Sequence, residues 1–220
     1  MDVAEAVRKR MSVRAFKSDP VPGEVVARLL ETAAQAPSGG NLQPWRVYAL
    51  AGARLAEFKA LVATTPMEEP EYEVYPASLW DPFRTRRFVC GEDLYASIEI
   101  GREDRPARFR QLARNTQFFD APVGLFFCLD RKLGLPQWAD LGMFMQTFML
   151  LATAEGLATC AQEYWARYPQ TVAKFVGLPD DHMLFSGMAL GYADEAAPIN
   201  NWRTRRDPPD VWLEMTGFDG

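Results

Sequence analysis

Apolar residues recur at Val3, Ala6, Val7 and Met11, a spacing that predicts a short amphipathic first helix. Pro20 and Pro22 then break the chain. After Pro22-Gly23-Glu24, the residues Val25, Val26, Leu29, Leu30 and Ala33 line one face of a second helix that must end near Pro37. Residues 46–50 read as a strand and 54–62 as a helix. A helical pattern resumes from about residue 93 to 115, with a break near Gly101. The continuous apolar run APVGLFFCL, residues 121–129, suits a strand buried on both faces. It is followed by WADLGMFMQTFMLLATAEG, residues 138–156, a helix apolar on nearly every side, which predicts burial all round at the centre of the fold, against a partner subunit. LATCAQEYW predicts a strand and turn, residues 169–176 a helix, and HMLFSGMALGYA a further buried strand.

Strands thus alternate with helices, and the class is α/β or α+β. No G-x-G-x-x-G follows a strand and no P-loop motif is present, which argues against a simple doubly wound nucleotide fold. Residues 64–92 carry four prolines with acidic and aromatic residues and no sustained period. That is too long for a plain connection, so it is expected as an excursion or lid within one domain spanning residues 1–220. Its aromatics Tyr72, Tyr75, Trp80, Phe83 and Phe88 form either a lid or a small core of their own.

Composition narrows the function. With 48% hydrophobic and 24% charged residues and a net charge of −5, no general basic surface for nucleic acid is expected. The N-terminus lacks the apolar core of a signal peptide, and no uncharged apolar run could span a bilayer, so a cytoplasmic protein without a membrane partner is expected. Cys90, Cys128 and Cys160 fit neither a disulfide framework nor a zinc motif and read as buried free thiols. The single histidine, His182, sits in a turn after Asp180-Asp181, leaving no metal cluster and little room for Ser-His-Asp chemistry. Any enzymatic chemistry must therefore come from a bound group.

Three segments could hold one. Arg10, Ser12 and Arg14 alternate, so an extended backbone would present two guanidiniums and a hydroxyl on one side, a competent phosphate clamp. Arg203, Arg205 and Arg206 form a second cluster in the tail, which would converge on the same anion if the tail folds back. Between them lies APSGGNLQPW, residues 36–45, where Gly39 and Gly40 permit positive φ and Ser38 and Asn41 suit the edge of a heterocycle. Taken alone, each arginine segment reads first as a solvated charge run, and residues 36–45 divide evenly between a plain turn and a site. Asn115, the Ala161-Gln162-Glu163 strand end and the arginines Arg84, Arg86 and Arg87 are further candidates.

Taken together, these pieces resemble the flavin-dependent nitroreductase family. The resemblance is carried by Arg10-Met11-Ser12-Val13-Arg14 and by residues 37–45, PSGGNLQPW. Farther on it continues through Asn115 with FFDAP at 118–122, GLAT at 156–159, and Gly191-Tyr192 with the downstream arginines. It covers nearly the whole chain. It implies an α+β, three-layer α/β/α sandwich with a central mixed sheet, in an intertwined homodimer with two FMN sites at the interface. By the same resemblance, Arg10, Met11, Ser12 and Arg14 hold the FMN phosphate and ribityl chain, completed by Arg203 and one of Arg205 or Arg206. Pro37, Ser38, Gly39 and Asn41 approach the flavin from the partner subunit. Gln162 and Glu163 run along the ring, and Asn115 lies near it. The long aromatic excursion resembles the nitrobenzoate-reductase branch.

The resemblance implies an oxidoreductase that takes reducing equivalents from NADH or NADPH and passes them, through FMN and by ping-pong turnover, to nitroaromatics, quinones or similar electron-poor small molecules. Two other readings stand beside it: a reductive dehalogenase or enoate reductase on the same fold, and a flavin-binding dimer without turnover.

Overall fold

A computed structural model describes residues 1–218 of the protein. The apolar run at 121–129 forms β2 (Val123–Asp130), an inner strand of a four-stranded sheet. The others are β1 (Arg46–Ala51), β3 (Ala158–Gln162) and β4 (His182–Gly191), in the order β1-β2-β4-β3. Side chains alternate across β2: Phe126 and Cys128 join one buried cluster, while Leu125, Phe127 and Leu129 join the other. A strand buried on both faces needs apolar residues at consecutive positions, which is why the run shows no alternation.

One face is covered by α3 (Gly52–Thr64) and α7 (Pro169–Val176), through Phe58, Val62 and Val172, with Trp165 between them. The other is covered by α2 (Gly23–Ala33) and α6 (Leu135–Ala154), through Leu29, Ala33, Leu141, Phe144 and Phe148. The three-layer sandwich that the family resemblance implies is therefore present. Each fully buried Phe or Leu contributes roughly 1.5–3 kcal/mol. Close packing of Trp165 on the sheet requires Gly187, where an added Cβ would lie 2.2 Å from the indole Cδ1.

Several expectations need correction. The four strands pair antiparallel throughout, and among the described residues the parallel element of the expected mixed sheet is a single bridge, Ser12 to Thr159. The first helix, α1 (Val3–Lys9), stops before Met11 because Arg10 turns the chain into extended backbone at φ −54°, ψ 130°. The excursion is shorter than expected: α4 (Phe83–Ala96) begins ten residues before the helical pattern was legible, and α5 (Arg105–Ala113) follows the break. No residue of α4 is buried, so it has no apolar face to generate a period. Cys90, on α4, is exposed, whereas Cys128 and Cys160 are buried as expected; burial pushes the Cys128 thiol up to about 12. Nor do the excursion aromatics make a core. Tyr75, Trp80, Phe83 and Phe88 are exposed, and Tyr72 packs on Trp138 and Phe185 of the main body. Finally, α6 is buried along one side only in the single chain, leaving Met143 exposed.

One turn has no signature in the sequence. Phe118, Phe119 and Asp120 all take positive φ, at 50°, 54° and 70°. Left-handed backbone costs L-residues roughly 1–2 kcal/mol each. Burial of both phenyl rings offsets it, with Phe118 tilted at 30° to Trp165, its ring centroid 4.7 Å away, and seated over Gly124, and Arg114 pairs with Asp120 at 2.9 Å.

Candidate functional site

Beyond α1 the chain runs extended beside β3. The Val13 amide donates to the Thr159 carbonyl at 3.0 Å, and Phe16 bridges to Ala193. Extended geometry sends Val13 and Ala15 into the core and leaves Arg10, Ser12 and Arg14 half-buried on the opposite side. Asn200 fixes this segment to the returning tail. Its Oδ1 accepts from the Arg14 amide at 2.9 Å, and its Nδ2 donates to the carbonyls of Ala15 (2.9 Å) and Asp194 (2.8 Å). A lone Asn in a polar tail gave no signal of this role.

The tail therefore does fold back. Arg10, Met11, Ser12 and Arg14 line one cavity with Arg203, Arg205 and Arg206, although about 190 residues separate the two segments. The cavity holds about 1160 Å³, and eight arginines against one carboxylate, Asp207, line it. Burial, with the nearby guanidiniums of Arg206 and Arg203, holds Arg10 below the usual arginine value. The arginines are not equivalent. Arg203 donates from Nη1 to the Arg8 carbonyl and from Nη2 to the Lys9 carbonyl, both at 2.6 Å. It caps the unsatisfied carbonyls at the C-terminus of α1, where a cation also meets the helix dipole favourably. Arg205 faces Asp93 of α4 at 3.4 Å, and Arg206 donates to Thr204 Oγ1 at 2.6 Å. From α4, Arg86 pairs with Asp207, and Arg87 lies over the Tyr75 ring at 4.4 Å.

The loop at residues 36–45 sits elsewhere in the single chain; none of Pro37, Ser38, Gly39 or Asn41 lines the arginine cavity. It folds as a 3-10 turn over Gly39–Asn41, with positive φ at Gly40 (59°), Asn41 (58°) and Gln43 (48°), but not at Gly39. Ser38 Oγ accepts from the Gln43 amide at 3.0 Å. The Gly39 amide donates to Asp140 Oδ2 at 3.2 Å, and Trp45 stacks on Phe144 at 4.9 Å and 16°. Asp140 is only 5% exposed, and it escaped notice in the sequence because it stands in an otherwise apolar helix.

Asn115 and Gln162 are brought together, side chain to side chain. Gln162 Nε2 donates to the Asn115 carbonyl at 2.9 Å and to Asn115 Oδ1 at 3.1 Å, while its Oε1 accepts from Trp165 Nε1 at 3.4 Å. The buried carboxamide thus braces the end of β3 against the turn at residues 114–120. Glu163 follows and is exposed, yet partial desolvation by its surroundings raises its carboxyl above the usual range.

A model of the nitroreductase family matches residues 7–192. The chain belongs to the nitroreductase family. A nitroreductase relative, 4-nitrobenzoate reductase of Pseudomonas putida, is 35% identical to it over 99% of this chain and 97% of its own length. The solved structure of an FMN and NADPH-dependent nitroreductase, NfnB from Sphigopyxis sp. strain HMH, superposes with a TM-score of 0.95 at 45% identity, covering 99% of this chain and all of that one. The FMN-dependent nitroreductase NfnB of Mycobacterium smegmatis, solved in complex with NADPH, superposes at 0.90 with 28% identity, over 98% of this chain and all of that one. Among the described residues of this nitroreductase, no helix is long and apolar enough to cross a membrane.

Proposed function

We propose that the protein is an FMN-dependent NAD(P)H oxidoreductase that reduces nitroaromatics, quinones or similar electron-poor acceptors by ping-pong turnover, working as a homodimer in the cytoplasm. One observation carries this reading: two arginine segments from opposite ends of the chain meet in a single cavity with Ser12. Forked guanidiniums and a hydroxyl are the donor set that a phosphate dianion needs. FMN fits these residues. Bound there, it supplies the redox chemistry that a chain with one histidine, outside the cavity, does not supply itself.

The chain's own groups then bind and orient. Arg10, Arg14 and Arg206 hold the phosphate with Ser12, and Met11 flanks it. Arg203 acts mainly by fixing the end of α1, so that Arg10 leaves the helix at the required place. Arg205, tied to Asp93, joins the cavity to α4. The brace between Gln162 and Asn115 sets the backbone at Glu163, which runs along the flavin ring in this reading.

The dimer is supported by what a single chain leaves uncovered. Val3 and Val7 of α1, Leu42 in the loop and Met143 of α6 are exposed apolar side chains. Pro37, Ser38, Gly39 and Asn41, distant from their own chain's arginine cavity, serve the partner's flavin in this arrangement.

The test is an anaerobic titration. Purified protein is expected to be yellow or to take up added FMN, to bleach with NADH or NADPH, and to recover its colour fastest with a nitroaromatic or quinone. A colourless protein that takes up no FMN overturns the reading. Faster recovery with an enone or a halo-aromatic reassigns the reaction.

A further inference from the structure

The arginine cavity carries more positive charge than one phosphate neutralises. Eight guanidiniums line it, and two carboxylates pair with them, Asp207 with Arg86 and Asp93 with Arg205. A phosphate monoester adds up to about two negative charges, which leaves about four positive charges without a counterpart.

Two of the four are localised. Arg10, Arg14 and Arg206 belong to the phosphate clamp, and Arg203 is committed to the α1 carbonyls. Arg86 and Arg205 have carboxylate partners. Arg8, in the last turn of α1, and Arg87, on α4, remain; among the described residues neither forms an ion pair with a carboxylate. Arg87 is nonetheless positioned, because its guanidinium lies over Tyr75 at 4.4 Å. The cation–π contact fixes the position of the group and leaves N–H donors available to an anion.

We infer that Arg87, held on Tyr75, and Arg8 form a second anion site in this cavity, and that it takes the 2′-phosphate of NADPH. The inference rests on the reading of the protein as an FMN-dependent NAD(P)H reductase. A monoester phosphate brings three acceptor oxygens and up to about two charges, more than an aromatic carboxylate does. With the pyrophosphate of the same molecule, it accounts for the whole surplus, which NADH leaves half unmatched.

The test uses FMN-loaded enzyme and two small probes, 2′,5′-ADP and 5′-AMP, in binding calorimetry. The wild type is expected to bind 2′,5′-ADP roughly tenfold or more tightly than 5′-AMP, the effect of one charge-assisted contact. Arg87→Gln brings the two affinities together, Arg87→Lys retains part of the difference, and Arg8→Gln reduces it. In steady state, Arg87→Gln raises KM for NADPH roughly tenfold and KM for NADH by less than about twofold. Equal binding of the two probes by wild type, or an unchanged ratio in both glutamine variants, overturns the inference. So does a KM change confined to 4-nitrobenzoate, which would assign Arg87 to the acceptor. Flavin content separates the failures: colourless protein that takes up no FMN defeats the underlying reading, whereas yellow protein with equal probe affinities defeats only the second site.

Discussion

The amide of Gly39 donates to Oδ2 of Asp140 at 3.2 Å, and four residues farther along α6 Phe144 carries the stacked indole of Trp45. A polar and an apolar contact, one helical turn apart, thus hold both ends of a turn whose backbone enters the left-handed region at Gly40 and Asn41. Removing the polar one by Asp140→Leu is expected to cost about 1 kcal/mol of stability, the low end for a donor that water can still reach. FMN retention on gel filtration should fall with it. Asp140→Asn keeps an acceptor and should restore both readouts; if it fails as badly as the leucine, charge rather than geometry is what the loop needs.

Two neighbouring arginines should separate into different classes. Arg203 holds the carbonyls of Arg8 and Lys9, so Arg203→Ala is expected to destabilise the flavin-free protein by about 1–2 kcal/mol. Arg206 has only local partners in the tail, so Arg206→Ala should change that stability by less than about 0.5 kcal/mol. Its effect should instead be on FMN affinity, roughly tenfold or more. Thermal unfolding of stripped protein, paired with flavin fluorescence titration, distinguishes them, and identical behaviour in both assays would contradict the assignment.

Gly187→Ala tests the packing beneath the brace. The new methyl would meet Trp165 Cδ1 at 2.2 Å and Nε1 at 2.7 Å, and the indole is fully buried. Overpacking of this kind costs about 3 kcal/mol or more when the neighbour cannot move. Because Trp165 also donates to Gln162, near-ultraviolet dichroism should change together with the urea midpoint.

Acid should loosen α4 and α5 before the core. Arg108 bonds Glu92 through two N–H···O contacts, at 2.6 and 2.9 Å, and these hydrogen bonds hold the carboxyl below its ordinary value of 4.5. A depressed native value means that the unfolded chain binds the proton more readily. The stabilisation is therefore present above about pH 4.5 and is lost as pH falls through the native value. Hydrogen-exchange protection factors in residues 83–113, corrected for the intrinsic pH dependence of exchange, are expected to fall below about pH 4.5 in the wild type. Glu92→Gln should show lower protection factors already at neutral pH and little further change in them on acidification.

Boundaries were legible wherever an element packs on the core. β2, α7 and β4 fall within about two residues of their expected limits, because burial on a sheet imposes a periodicity or an unbroken apolar run. The order of the two arginine clusters around residues 36–45 was equally visible and carried the family. The first ten residues of α4 were invisible, since a helix with nothing to bury has no reason to repeat its apolar residues.

Local sequence was thus enough for the alternation of strands and helices, the buried strand and the list of groups able to meet a phosphate, and the family resemblance supplied the layers. Which of those groups are free to do so was decided in three dimensions. Arg203 faces carbonyls, Gln162 faces Asn115, and Asp140 reaches a glycine about a hundred residues away. A side chain's partners depend on backbone donors and acceptors that every residue carries alike. No residue type announces them, and only the folded path of the chain brings them within hydrogen-bonding distance.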